Sequence, residues 1–234
     1  QLPILVLKNT VLFPGIVIPI TVGRDKSIKA IQEAYNSDKL VAVISQKSPN
    51  VEDPQSDDLY PIGTVARILK LLKMPDGTTT AILKGRNRFQ LKDILQTDPH
   101  LIGSIQKLSY DPIKDPLKFK ALTTTVKDMA NQIINLSPNI PSDASVMLKN
   151  IDNDKFLLNF IASNLGAKVK NKQRILEKND LVEKAETIIE QMDHELQVLE
   201  IKDQIESKVR GDIEKQQRDY YLNQQLKTIQ QELG

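Results

Sequence analysis

The side chains that usually bind metals or carry out catalysis are scarce in this sequence and form no recognisable motif. The 234 residues include two histidines, His100 and His194, and no cysteine, which excludes disulfides, thiolate metal ligands and cysteine nucleophiles. Neither histidine has a second ligand at metal-binding spacing, and we expect both to lie on the surface. The carboxylates Asp57 and Asp58 fall in a proline-containing acidic segment, which indicates a solvated loop rather than a catalytic acid pair.

Motifs for nucleotide binding and for an activated serine are also absent from the sequence. The phosphate-binding pattern GxxxxGK[ST] does not occur, so no nucleotide loop is predicted. Serine and lysine are both frequent, and no spacing singles out a serine that is activated by a lysine. We therefore predict no catalytic, metal-binding or cofactor-binding residue in this chain.

A basic block at residues 166–179 precedes an acidic stretch. The block has five lysines or arginines and one acid, whereas residues 180–200 have seven acids and one lysine. The simpler interpretation is electrostatic, because carboxylates stabilise the positive end of a helix. The alternative is an anion or DNA contact, although no aromatic residue alternates with these cations to stack on bases. The four candidate contacts are Lys168, Lys170, Lys172 and Arg174.

Length and composition are typical of a chain that folds into two domains. Hydrophobic residues make up 40% and charged residues 26%, and the formal net charge is +2. No run of about 18 apolar residues occurs, so we predict neither a membrane span nor a membrane partner. Because the sequence starts at Gln1, we expect its true start, and any targeting segment, to lie upstream.

The first 110 residues contain short segments of β type. Strands are predicted at residues 2–7, 17–22, 40–44, 63–72, 78–83, 88–95 and 101–108, and one helix at 25–35. The strongest hairpin signal is Met74-Pro75-Asp76-Gly77. Pro3 and Pro19 cannot donate to a ladder, so their strands should be edges or bulged. The pattern favours a small closed or half-closed β-barrel with one helix.

After residue 110 the periodicity becomes helical. The boundary is placed at residues 111–115, and helices are predicted at 116–136, 142–150 and 152–165. Ser142 and Asp143 are the predicted caps of the second helix. Together with the start of the next helix, these segments should form a bundle.

From residue 180 to 233 there is no proline and one glycine, Gly211, which predicts a rod of ~80 Å at ~1.5 Å per residue. Its first part has an apolar face that should pack in the bundle: Leu181, Ala185, Ile188, Met192, Leu196 and Leu199. Between 201 and 213 the apolar residues recur every four positions, so the stripe rotates and the helix should lie largely in water. The far end, which we call the rod tip, has a second apolar cluster: Tyr220, Tyr221, Leu222, Leu226, Ile229 and Leu233. We interpret the rod tip as an assembly contact; packing on a downstream domain of the same chain is the alternative.

Three stretches together resemble the amino-terminal region of the Lon family of ATP-dependent serine proteases (LonA type). They are LPILVLKNTVLFPGIVIPITVGR, GTVARILKLLKMPDGTTTAILKGRNRFQL and RDYYLNQQLKTIQQELG, in the order of the family, and the resemblance covers essentially the whole chain. It implies an α+β fold in which residues 1–110 form a PUA-like β-barrel domain and residues 111–179 a helical bundle. Residues 180–234 would be a coiled-coil stalk leading to an AAA+ ATPase module that is absent here.

The resemblance also implies a function. The region would recognise unfolded or degron-bearing proteins within a homohexameric enzyme that degrades misfolded and regulatory proteins. ATP, Mg²⁺ and a serine activated by lysine would belong to the rest of that enzyme. The expected location is the bacterial cytoplasm, with the mitochondrial matrix as the alternative. Two other hypotheses stay open, a stand-alone substrate receptor and a purely structural oligomerisation stalk.

Binding of unfolded proteins requires exposed apolar side chains. Leu12 and Phe13 beside the Phe-Pro-Gly turn, and Met74 at the hairpin tip, are the candidate substrate contacts, because apolar residues at turns often lie outside the core. Methionine also adapts to varied partners. Ordinary packing in the core is the alternative for each of the three residues.

Overall fold

The computed structural model describes residues 1–141 and 143–234, and it has the predicted α+β fold. Six strands form one sheet: β1 Leu2–Leu7, β2 Val17–Val22, β3 Leu40–Ser45, β4 Ile62–Lys73, β5 Thr79–Gln96 and β6 Ile102–Lys107. Their order is β2-β5-β4-β3-β1-β6, and β5 also pairs with β6. Five strands therefore close a small barrel, and β2 extends the sheet along the first half of β5. Helix α1, Asp25–Asn36, packs against β1 and β3.

The prediction that the strands of Pro3 and Pro19 are edges or bulged is confirmed for β2 and wrong for β1, which pairs with both β3 and β6 without a bulge. Pro19 is in β2, which pairs on one side only, with β5. Pro3 pairs with Ile102 of β6, whereas the pairing of β1 with β3 starts one residue later at Ile4. At neither position does a second strand require the N–H that proline lacks.

The predicted hairpin joins β4 and β5. Gly77 has a φ of 88°, and the N–H of Met74 donates to the carbonyl of Thr78 at 2.9 Å. The carboxylate of Asp76 accepts from the N–H of Thr78 at 3.0 Å. The hydrogen bond from the Thr78 hydroxyl, and then this backbone hydrogen bond, lower the pKa of Asp76. The turn residues thus hold the tip of the hairpin in a defined geometry.

The prediction of two strands at 78–83 and 88–95 is wrong, because β5 is one continuous strand of 18 residues. The glycine and asparagine of Lys84-Gly85-Arg86-Asn87 favour a turn when the sequence is read alone. In the structure, a Cβ at Gly85 would lie 2.3 Å from the carbonyl oxygen of Phe13. Glycine is needed there for the close approach of two backbones and not for a reversal of the chain.

The second half of the chain is helical: α2 Pro116–Leu136, α3 Ala144–Lys149, α4 Asp154–Asn164, α5 Val169–Leu176 and α6 Leu181–Glu232. Asp115 caps α2 by accepting from the N–H of Lys118, and Asn153 caps α4 through the N–H of Phe156. The proposed cap at Ser142 lies outside the described residues. Helix α5 is not among the predicted elements, because the basic block to which its residues belong shows no clear apolar periodicity.

Helix α6 changes its environment along its length. Its first part packs on α2, α4 and α5, and its predicted apolar face from Leu181 to Leu196 is buried. From residue 201 onward every residue is exposed, and the helix continues through Gly211 without interruption. The predictions of a packed first part and a solvated middle are confirmed.

None of the helices in the described part of the chain combines the length and apolar character that are needed to cross a membrane.

Candidate functional site

The joint between the barrel and the bundle contains two of the residues that are predicted as substrate contacts. Leu12 is 2% and Phe13 is 0% exposed. Leu12 packs in a core of the sheet, and Phe13 belongs to the core of the helical bundle. The prediction that these two side chains lie outside the core is wrong, because the Phe-Pro-Gly turn is clamped between the two layers. The carbonyl of Leu12 accepts from the Thr64 hydroxyl at 2.7 Å.

The same joint contains a buried arginine from β5. Nη1 of Arg88 donates to the carbonyls of Leu176 and Lys178 at 2.9 and 3.2 Å, and Nη2 donates to Oδ1 of Asn179 at 2.8 Å. Its guanidinium lies 4.3 Å from the ring centroid of Tyr110. Burial lowers the pKa of Arg88 and raises that of Tyr110. Arg88 therefore bonds the barrel to the connection between α5 and α6.

A buried lysine of α6 completes this polar joint. Nζ of Lys184 donates to the hydroxyl of Tyr110 at 2.9 Å and also to Oδ1 of Asn159. Burial, and then the nearby charge of Arg88, lower the pKa of Lys184 to about 7. A lysine with such a pKa is a common feature of active sites. Here Lys184 is fully enclosed and its partners are structural, so we assign it to the joint.

Sequence reasoning missed Lys184, although a signal was present. Lys184 lies three residues after Leu181 and four before Ile188, so it occupies the apolar face of the helix. A lysine on a buried stripe requires hydrogen-bond partners from neighbouring elements. Those partners were not identifiable without the fold, because Asn159 and Tyr110 are distant in sequence.

The two histidines lie in different environments. His194 is exposed, as predicted, whereas the prediction for His100 is wrong, because it is 2% exposed. The connection between β5 and β6 folds back towards α1, which places Nε2 of His100 3.2 Å from a carboxylate oxygen of Glu33. Within residues 1–141 and 143–234, no group of three or more His, Cys, Asp or Glu side chains has a geometry for a metal ion.

The four basic candidates do not converge on one site. Lys172 donates to the carbonyl of Ser163 at 2.9 Å, and burial lowers its pKa. Arg174 pairs with Glu190 at 3.1 Å. Lys168 and Lys170 are exposed, and each lies near the start of α5. Of the four cations, Lys172 is thus partly buried and bonded within the bundle, and Arg174 is in an exposed ion pair, which leaves less unpaired charge for the hypothetical DNA contact.

One face of the sheet formed by β2, β5 and β4 is open to solvent. Residues of these strands alternate between a buried core, which contains Ile68, Ala81 and Leu83, and the opposite side. The strand register places three rows of side chains on that side. We call it the open sheet face; its rows are Val17, Lys84 and Arg67, then Pro19, Ile82 and Lys70, then Thr21, Thr80 and Leu72.

Several apolar side chains on and beside the open sheet face are exposed to solvent. Val17 is 50%, Leu72 40% and Met74 44% exposed, and Leu69 at a bulge of β4 is also exposed. Met74 extends this surface at the hairpin tip. The predicted exposure of Met74 is confirmed, although no contact with a substrate is established by it.

Two other apolar surfaces lie in the helical half. A groove of about 310 Å³ opens between α2, α3, α4 and α6. Its walls are mostly aliphatic and include Ile134, Ile140, Met147, Phe160 and Met192. The rod tip is the second surface, and its tyrosines, leucines and isoleucine are all about half exposed or more.

The fold is thus a small β-barrel joined to a helical bundle, and apolar side chains are exposed on both parts. The sequence matches the family model described as "ATP-dependent protease La (LON) substrate-binding domain" over residues 1–194, and the chain belongs to that family.

Individual relatives agree with this assignment. The Lon protease of Flavobacterium johnsoniae is 51% identical over 235 residues, and that of Cytophaga hutchinsonii is 43% identical over 234. Each match covers all of this chain but 29% of the relative, so the chain spans less than a third of their length. The N-terminal domain of the Mycobacterium avium complex Lon protease has the same fold, with a TM-score of 0.67 at 20% identity over 82% of this chain and 97% of that one.

Proposed function

We propose that this chain is the substrate-recognition and assembly region of an ATP-dependent serine protease that degrades misfolded and regulatory proteins, and that the chain itself is not catalytic. The family match and the relatives named Lon protease support this proposal. ATP and Mg²⁺ would act in the rest of the parent protein, because these residues offer no phosphate loop. The bacterial relatives favour a bacterial cytoplasmic location.

The observation that carries the recognition role is the exposed apolar surface of the open sheet face and Met74. Unfolded proteins differ from folded ones by their exposed apolar segments, and a receptor for many such segments needs a shallow, adaptable surface. The hairpin tip is held by hydrogen bonds at Asp76 and Thr78, so Met74 is presented by a rigid turn. A preformed surface reduces the entropy lost on binding.

The recognition role is tested with Met74→Ser and a labelled, permanently unfolded protein. Removal of an exposed apolar contact should weaken binding about two- to tenfold by fluorescence anisotropy and leave the thermal midpoint within about 1 °C. Leu95→Ser is the matched control, because Leu95 is 50% exposed but lies on the second half of β5. Equal loss of affinity in both variants, or in neither, would count against a site at Met74.

The assembly role rests on the rod tip. Leu222, Leu226 and Ile229 are about half exposed, and they lie on a part of α6 in which every residue is exposed. Apolar residues at this spacing normally pack against another helix. We infer that they contact either a second copy or a downstream domain within the homohexameric parent.

Leu226→Asp in the parent protein tests this assembly role. A carboxylate in an apolar contact should shift sedimentation from the hexamer towards smaller species. Gln224→Asp adds the same charge on the other side of the helix and should sediment like the unmodified protein. Unchanged sedimentation of Leu226→Asp would remove the rod tip from the assembly.

A stand-alone receptor is the competing hypothesis. It is distinguished by reading the coding sequence beyond residue 234. A phosphate loop followed by a Ser–Lys protease domain supports the enzyme, and a stop codon before any phosphate loop supports the receptor.

A further inference from the structure

The open sheet face is basic as well as apolar. Its exposed cations are Arg67, Lys70 and Lys84, and Arg86 continues the same alternation along β5. Strands β2 and β4, and β5 as far as Gln90, contain no aspartate or glutamate. All the charge on this face is therefore of one sign.

The strand register places two of these cations directly opposite each other. Arg67 and Lys84 are Cα partners of β4 and β5. Like charges at such positions destabilise a sheet. Among the described residues, none of the four cations is within ion-pair distance of a carboxylate. The carboxylates of the adjoining turns, Asp38 and Asp76, accept hydrogen bonds from nearby backbone N–H groups.

Apolar and cationic side chains alternate across the face. Val17 lies beside Lys84, and Ile82 lies between Pro19 and Lys70. Neighbouring strands are ~4.8 Å apart and alternate residues on one strand ~7 Å apart. A bound chain with neighbouring apolar and acidic side chains could therefore place the first on an apolar residue of this face and the second beside a cation, in several positions.

We propose that the open sheet face selects unfolded segments in which acidic and apolar side chains are interspersed. This inference rests on the proposed recognition of unfolded proteins and names the class of segment. Apolar burial supplies affinity, and charge complementarity relieves the repulsion between Arg67 and Lys84 and sets the preference. A nucleic acid fits less well, because the face has no aromatic residue to stack on bases and its apolar half would be left without a contact.

The test uses three labelled peptides of equal length that share their apolar residues and differ in the residues between them, which are Glu, Gln or Lys. Anisotropy titrations of the 234-residue chain at low salt should rank their affinities Glu, then Gln, then Lys, with about tenfold between the first two. In about 1 M salt the Glu and Gln peptides should converge to within about twofold.

Arg67→Gln/Lys84→Gln is the decisive variant. It should bind the Gln peptide as the unmodified chain does and lose the preference for the Glu peptide. Its thermal midpoint should not fall, because a repulsive pair has been removed. Lys92→Gln/Lys107→Gln is the matched control; it removes two lysines from the second half of β5 and from β6, and it should keep the preference.

The outcomes separate the two proposals. If no peptide binds, the proposal that this chain recognises unfolded segments is wrong, and so is the inference about acidic segments. If the Gln and Glu peptides bind equally at low salt, or the control variant loses the preference as well, recognition stands and the basic face is not the selector. A single-stranded oligonucleotide or polyphosphate that binds through Arg67 and Lys84 more tightly than the Glu peptide would also overturn the inference.

Discussion

The two parts of α6 differ in burial although both have apolar residues at helical spacing. In the first part, Ile188 is 0% and Met192 is 1% exposed, because α2, α4 and α5 cover them. In the second part, Ile205 is 58% and Leu226 is 53% exposed. The first part is thus held by the core of this chain, whereas every residue of the second part is exposed.

This difference shows what an apolar stripe predicts and what it leaves open. The periodicity predicts that a segment is helical and which side prefers to be covered. The identity of the covering element depends on the rest of the fold. The helical bundle covers the apolar side of the first part of α6. Among the described residues, none buries the apolar side of the second part.

The largest expected effect contrasts Ile188→Ala with Ile205→Ala. Removal of the buried Ile188 side chain leaves a cavity and should lower the free energy of unfolding by about 2–5 kcal/mol. The same substitution at Ile205 should change it by less than about 0.5 kcal/mol, because no packing is lost and alanine favours the helix. Urea denaturation of the two variants measures both values. Similar losses in both would mean that the second part of α6 is covered in solution.

The next effect concerns the buried charge at Lys184. Its pKa is about 7 in the folded chain, compared with 10.5 for a lysine in water. Between these two pH values the unfolded chain binds a proton that the folded chain does not, so the stability of the folded chain rises with pH. Below about pH 7 the folded chain carries the full free-energy cost of burying the charged Lys184 side chain.

Lys184→Met removes this titration. The stability difference, unmodified chain minus Lys184→Met, should increase by about 2–3 kcal/mol from about pH 6 to about pH 9, measured by urea denaturation. Loss of the hydrogen bonds to Tyr110 and Asn159 lowers the stability of the variant at every pH, and therefore only the pH dependence is diagnostic. Lys202→Met, on the exposed part of the same helix, should show no such trend. A flat difference for Lys184→Met would place its pKa near the ordinary value.

Local signals predicted several elements almost to the residue. Helix α2 was predicted at 116–136 and has those bounds, because Asp115 caps it and Pro116 suits the first turn. The β4–β5 hairpin and the full extent of α6 are also predicted. A Pro-Asp-Gly sequence favours a turn, and a long stretch without proline allows a continuous helix, whatever the rest of the chain does.

Errors arose where distant residues decide the outcome. The sequence predicts Phe13 and His100 at the surface because they lie near turns, but the bundle covers Phe13, and the β5–β6 connection packs His100 against Glu33 of α1. The domain limits at 110 and 179 stay a prediction. Phe13 of the barrel half shares one core with the bundle, so the two parts are closely joined.

The candidate site was predicted only in part. Met74 was identified from its turn, whereas the open sheet face was not, because it depends on which residues of β2, β4 and β5 lie side by side. Arg67 and Lys84 are well separated in the sequence, and only the strand register shows them to be neighbours. The charge of the face is thus a property of the pairing and not of any segment.

The smallest expected effect is at Gly211, in the exposed part of α6. A Cβ added there meets no atom within 4 Å, so alanine fits without strain. Because this part has no packing, its helicity depends on intrinsic propensity, and Gly211→Ala should stabilise it locally by up to about 1 kcal/mol. Hydrogen exchange should show slower exchange of amides near residue 211 and unchanged exchange in the first part of the helix. Ser207→Ala, one turn earlier, should have a smaller effect of the same sign. If Gly211→Ala speeds exchange, glycine is required there by a contact outside this chain, and the exposed part of the rod is not the independent helix that the comparison with its buried part implies.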